Sequence, residues 1–267
     1  MTKRAALLLG LVVLWCLPAE AADRMTDRDV KALVSRIEQG RDRFDDALDG
    51  KLKHEIVRGP SGEVDVARFL DDFQKSIDNL EERLKPEYAA STEAADLLRR
   101  GSSIDAFFHQ QPPGTKGESE WNRLASDLQT LATAYGTRFP LPEHAAVRRI
   151  GDRELAAAIE HLAETGSQLK KSLDTDLKKD PGVDKATRAR LVGEADGFSK
   201  DAKDLRDRVK DGKPSSAEAE RLLGLATTLQ TSITSHQAPA SRSLWTSATP
   251  HVQTLASAYR VSSPEGK

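Results

Sequence analysis

Apolar residues recur along this chain at steps of three and four, the spacing that places them on one face of a helix. The first such stretch carries Val30, Leu33, Ile37, Phe44 and Leu48, and the second Val66, Phe69, Phe73, Ile77, Leu80 and Leu84. A third carries Ala94, Leu97, Leu98, Ile104, Phe107 and Phe108, and a fourth Trp121, Leu124, Leu128, Leu131 and Tyr135. No stretch alternates with period two while rich in β-branched and aromatic residues, so no strand is predicted. Breakers separate the stretches at Gly59-Pro60-Ser61-Gly62 and Gln111-Pro112-Pro113-Gly114. Thr26 with Asp29 and Ser215 with Glu218 have the spacing of capping boxes, and Asp180-Pro181 reads as an N-cap followed by proline at the first helical position.

The pattern is written twice. Trp121 opens W-N-R-L-A-S-D-L-Q-T-L-A-T-A-Y, ending at Tyr135, and Trp245 opens W-T-S-A-T-P-H-V-Q-T-L-A-S-A-Y, ending at Tyr259; 7 of the 15 positions are identical. Upstream, at an offset of 125, Asp27-Arg28 matches Asp152-Arg153, Phe73 matches Phe198, Arg83 matches Arg208, and Leu97-Leu98 matches Leu222-Leu223. His109-Gln110-x-Pro112 has its echo in His236-Gln237-x-Pro239. The expected fold is therefore all-α: two tandem repeats, 22–139 and 144–263, each an amphipathic four-helix bundle, with a proline-containing linker at 140–143 and a tail at 264–267. A continuous helical-repeat array shares this periodicity and is the alternative. In the second repeat Leu229, Ser232 and Ile233 stand where the first has Ile104, Phe107 and Phe108, which predicts a less tightly packed core.

The N-terminus predicts an address. Lys3 and Arg4 precede 13 consecutive apolar or glycine residues at 5–17, too short to span a bilayer, and Ala19-Glu20-Ala21 is a small-x-small cleavage site. Residues 1–21 read as a signal peptide, giving an exported chain, periplasmic or secreted, that starts at Ala22. Cys16, the single cysteine of the 267 residues, follows Trp15 rather than a small residue, which argues against lipidation. Cleavage would leave a chain without cysteine, held together by packing alone. Nothing later approaches a membrane span.

Charge and motifs narrow the function by exclusion. With 40 Lys and Arg against 42 Asp and Glu, interleaved along the helices, the chain lacks the basic footprint of a nucleic-acid binder. A di-iron site needs Glu-x-x-His twice, but the residues three before His54, His109, His144, His161, His236 and His251 are Lys, Ala, Leu, Ala, Ile and Ala. No C-x-x-C-H, H-E-x-x-H, P-loop or dinucleotide fingerprint occurs. Asp45-x-x-x-Asp49-Gly50 lacks the remaining ligands of a calcium loop, having Ala47 and Ile56 where oxygens are required. Ser167-Gln168-Leu169-Lys170 matches S-x-x-K without the companion motifs of that chemistry. His109 and His236 are expected at helix ends, where a cation suits the helix dipole. No catalytic residue, metal site or cofactor is predicted.

Two readings follow. In the first the chain is a non-enzymatic exported module that binds or spaces an envelope protein or other macromolecule. In the second it carries a small molecule or cofactor in a pocket between helices, lined by Trp121, Tyr135, Trp245 and Tyr259. Core packing is the plainer role for both tryptophans, and the tyrosines are expected to present their hydroxyls at the rim.

Overall fold

The computed structural model describes residues 24–60 and 62–259. The expected signal peptide 1–21 with its Cys16, Ser61 and the tail 264–267 lie outside the described residues. The chain is largely helical: among the described residues there are nine helices and one small two-stranded hairpin.

Helix α1 spans Asp27–Ala47, and a short α2, Gly50–Lys53, is capped by the Asp49 carboxylate. Strands β1 (Ile56–Gly59) and β2 (Gly62–Asp65) pair antiparallel, with Val57 opposite Val64. Helices α3 (Val66–Arg83), α4 (Ser91–Phe108) and α5 (Glu118–Ala134) complete the first half. The second half has α6 (Asp152–Lys179), α7 (Lys185–Lys210), α8 (Ser216–Ser235) and α9 (Pro239–Tyr259).

The hairpin corrects the expectation of no strands. Its strands are four residues each, too short for a period of two to register, and Gly59 and Gly62 of the predicted breaker are its last paired residues. Val57 is buried while Ile56 is 58% exposed, so a single inward side chain anchors β1. Gly59 is required there: a Cβ would lie 2.4 Å from the Phe69 ring.

Two apolar cores form. One is built from α1, α3, α4 and α5, in which α1 touches α3 and α5, and α4 touches the same two. The other is built from α6 to α9, in which α6 touches α7 and α9, and α8 touches the same two. The first core centres on aromatic rings: Phe44 lies 5.2 Å from Phe108 and 5.4 Å from Trp121, between centroids. The second has one such pair, Phe198 and Trp245 at 5.9 Å, among leucines and alanines. Its α6 and α7 approach closely at Gly166, where a Cβ would meet the Ser199 backbone nitrogen at 2.9 Å. Residues 136–150 pack back on the first core through Phe139, Leu141 and Val147, and the Leu141 N–H donates to Ser102 Oγ at 2.8 Å.

The helix ends agree with the sequence in one case and differ in two. Thr26 and Asp29 form the capping box, at 3.2 and 3.0 Å. Ser215 does precede α8 but makes no cap bond, because its hydroxyl is engaged with Tyr259 Oη at 2.7 Å and Glu218 is turned to Arg208 at 3.2 Å. Asp180 closes α6 instead of opening the next helix. Helix α7 starts five residues later, where the Asp184 carboxylate accepts the Thr187 N–H at 2.7 Å.

Candidate functional site

The starts of α1 and α6 meet, and the contact is reciprocal. Each helix start leaves backbone N–H groups without an intrahelical partner and carries partial positive charge. Here one N–H of each start is taken by a carboxylate of the other helix. The Asp152 carboxylate accepts the Asp27 N–H at 2.8 Å, and the Asp27 carboxylate accepts the Asp152 N–H at 3.1 Å. Two arginines complete the exchange. Arg24 donates to Asp152 and to the Ile150 carbonyl; Arg149 donates to Asp27 and, at 2.9 Å, to the Met25 carbonyl. Arg149 is the more enclosed, with a side chain 3% exposed. Its backbone N–H reaches Ser91 Oγ at 3.2 Å. Ser216 Oγ, the residue 125 positions after Ser91, is buried without a hydrogen-bond partner among the described residues.

The four charges cancel, two arginines against two carboxylates, so the two helix starts pack without net repulsion. An Arg-x-x-Asp pattern, at 24–27 and again at 149–152, underlies the site. The aspartates are visible as repeat partners in the sequence, whereas the arginines were missed. Their shared offset of 125 was the available signal.

Both tyrosines of the expected pocket come to this junction. Tyr135 is fully buried, and its hydroxyl donates to the Ala89 carbonyl at 2.7 Å; Arg149 and Asp27 are among the charges acting on it. Burial raises its pKa. Tyr259, also raised by burial, is acted on by Arg24 and Asp152. The expected rim position therefore fails for Tyr135. Its captured carbonyl precedes Ala90, the one non-glycine residue of positive φ among the described residues (50°).

The tryptophans lie elsewhere. Fourteen residues of helix separate Trp121 from Tyr135, and Trp245 from Tyr259, a rise of about 21 Å. Trp121 is buried among Phe44, Phe108 and Phe139, with its indole N–H on Asp105 at 3.0 Å, and Trp245 is buried against Phe198.

Beside the junction is a cleft of about 630 Å³ between the starts of α1 and α6, the Pro86 turn and the end of α7. None of the four aromatics lines it. Its lining includes the apolar Ala156, Ala157, Val209 and Pro86, the basic Arg28, Arg153 and Lys210, and the acidic Asp27, Asp152, Glu160 and Asp211.

The residues weighed for other chemistry are held in structural contacts. His109 and His236 stand at the ends of α4 and α8, each with Nδ1 on the carbonyl four residues earlier, at 2.8 and 2.7 Å. Ser167 is paired with Ser199 at 2.8 Å, and Lys170 with Asp196 at 3.0 Å. Asp45 binds Lys53 at 2.7 Å. Among the described residues no group of three or more His, Cys, Asp or Glu is placed to hold a metal ion, and no helix is long and apolar enough to cross a membrane. No protein-family model, curated protein or solved structure matches this chain.

Proposed function

We propose that this chain is an exported, non-enzymatic module of two tandem four-helix units, 22–139 and 144–263, that binds or spaces another macromolecule in the cell envelope. The observation that carries the reading is the reciprocal Arg–Asp exchange. It pairs residues at the offset of the sequence repeat, and it sets two arginines against two aspartates to hold two units in one orientation. A fixed pair of similar units offers two similar sets of exposed helix faces, and hence avidity for a repetitive partner. The same order of helix contacts in both cores supports two units over a continuous array.

Export rests on the signal-like segment 1–21, and cleavage after Ala21 leaves Arg24 in place for the junction. The apolar surface that a partner could use includes Ile56 on the hairpin, 58% exposed, and Tyr88, 44% exposed. Neither has a large exposed counterpart on the second half among the described residues.

The test is made in the source cell. A photo-crosslinking residue replaces Ile56 or Tyr88, and envelope-purified protein is weighed by native mass spectrometry. The expected result is a chain beginning at Ala22 and one dominant crosslinked protein. A chain retaining residues 1–21, with no crosslinked partner from either position, would overturn the proposal. The carrier reading would gain instead from a small-molecule adduct that survives purification.

A further inference from the structure

The reciprocity of the junction is broken at one pair. Arg153, next to Asp152, forms an ion pair with Glu87. By the offset of 125, the counterpart of Arg153 is Arg28 and that of Glu87 is Gly212. A Cβ on Gly151, before α6, would lie 3.9 Å from the Pro86 carbonyl, and a Cβ on Gly212 would lie 3.8 Å from Thr26, before α1. Gly212, which lines the same cleft as Arg28, has no carboxylate to offer it.

Arg28 is consequently a cation on the cleft without an ion pair among the described residues, and Lys210, at the end of α7, is a second. The acidic groups nearby are committed: Asp27 to Arg149, Asp152 to Arg24, Glu160 to Arg206 at 2.6 Å and Asp211 to Lys213 at 2.8 Å. Asp29, beside Arg28 in sequence, accepts the Thr26 N–H and hydroxyl, at 3.0 and 2.7 Å. Among the described residues Arg28 and Lys210 are thus two cations without an ion pair on a cleft that also carries apolar side chains, with the charge of Arg28 acting on the Asp29 beside it. The volume of about 630 Å³ falls among cavities that hold small organic ligands.

We infer that this cleft binds a small amphiphilic carboxylate, its carboxylate on Arg28 with Lys210 beside it and its apolar body over Ala156, Ala157 and Val209. Arginine offers two parallel N–H groups to a carboxylate, and the bond is charge-assisted. The apolar side chains contribute by removing ligand hydrocarbon from water. This site stands independently of the macromolecular partner proposed above.

The test uses the full chain starting at Ala22, titrated with decanoate and with decanol below their aggregation limits and followed by backbone amide NMR. Decanoate is expected to shift the Ala156, Ala157 and Gly212 signals saturably, and decanol to bind about tenfold more weakly. Arg28→Gln should weaken decanoate about tenfold and leave decanol unchanged. Ala157→Trp, which fills the cleft, should abolish both. Melting temperatures check that the variants fold, and Lys210→Gln, on a side chain in solvent, serves as the independent charge variant. Equal affinities for acid and alcohol would overturn the inference, as would shifts centred elsewhere or the absence of any saturable shift.

Discussion

The carboxylate of Asp152 caps the helix that Asp27 begins, and the carboxylate of Asp27 caps the helix that Asp152 begins. Each half's start therefore contributes to the stability of the other, in addition to the Thr26–Asp29 capping box that α1 supplies for itself. The enclosed member of the site is Arg149, which neutralises Asp27 and also holds the Met25 carbonyl.

Replacing Arg149 with Ala leaves the Asp27 carboxylate partly buried and the Met25 carbonyl without that donor. The expected loss is about 3 kcal/mol, toward the lower end for a broken buried pair because Asp27 retains some contact with water. Arg149→Lys should recover only part of it, since an ammonium lacks the planar fork that reaches both acceptors. Urea unfolding measures both. A loss under about 0.5 kcal/mol, the scatter of ordinary surface substitutions, would mean that the junction is not what joins the halves.

Tyr135→Phe removes the donor to the Ala89 carbonyl and should cost about 1–2 kcal/mol. The wild type should also lose stability in alkali. With its folded pKa raised by burial above the ordinary 10.0, Tyr135 holds its proton more tightly folded than unfolded. That contribution is complete below pH 10 and declines as pH rises beyond it. Denaturation followed from pH 8 to 11 should fall less steeply for the Phe variant; parallel curves would place the alkaline loss elsewhere.

The second half should unfold first. Its core has a single aromatic pair where the first has a cluster of rings, and Pro250 within α9 deprives the Thr246 carbonyl of its in-helix donor. In a chain starting at Ala22, Trp121→Phe leaves Trp245 as reporter of an unaltered second core, and Trp245→Phe does the converse. The Trp245 signal should change at the lower urea concentration. Coincident midpoints would show that the junction couples the halves into one cooperative unit.

His251 on α9 stacks on His161 of α6, with ring centroids 4.6 Å apart. Burial first, and then the charge of His161, lowers the pKa of His251 below 6.5. Glu164 lies 3.8 Å from His161, at a site largely in water. A depressed histidine pKa means stability that is present above pH 6.5 and lost as pH falls through the folded value. The melting temperature should drop between pH 7 and pH 5 more in the wild type than in His251→Phe. An equal drop in both would remove the pair from any pH response.

The helical stripes were legible because burial on one face of a helix imposes a period that survives in the linear order of residues. Val30, Leu33, Ile37 and Phe44, predicted on one face, are all buried, as are Trp121, Leu124, Leu128 and Leu131. The hairpin was not legible, since one inward valine in a four-residue strand leaves no period to read. Ser215 illustrates a different limit: local spacing offered its hydroxyl a cap, and Tyr259, 44 residues away, took it. Asp180 was misread because an Asp-Pro pair suits the end of one helix as well as the start of another, and only the packed length of α6 decides between them.

By itself the sequence determined the helical character, the buried faces and the internal likeness of the two halves, because each follows from spacing along the chain. The tertiary structure decided which distant groups meet. It carried Tyr135 and Tyr259 to the junction and left Trp121 and Trp245 about 21 Å up their helices. It also turned two Arg-x-x-Asp segments into one four-charge site and opened a cleft beside it that Arg28 and Gly212 both line. Such pairings depend on how helix starts are oriented in space, and residues 125 apart carry no local signal that one will cap the other.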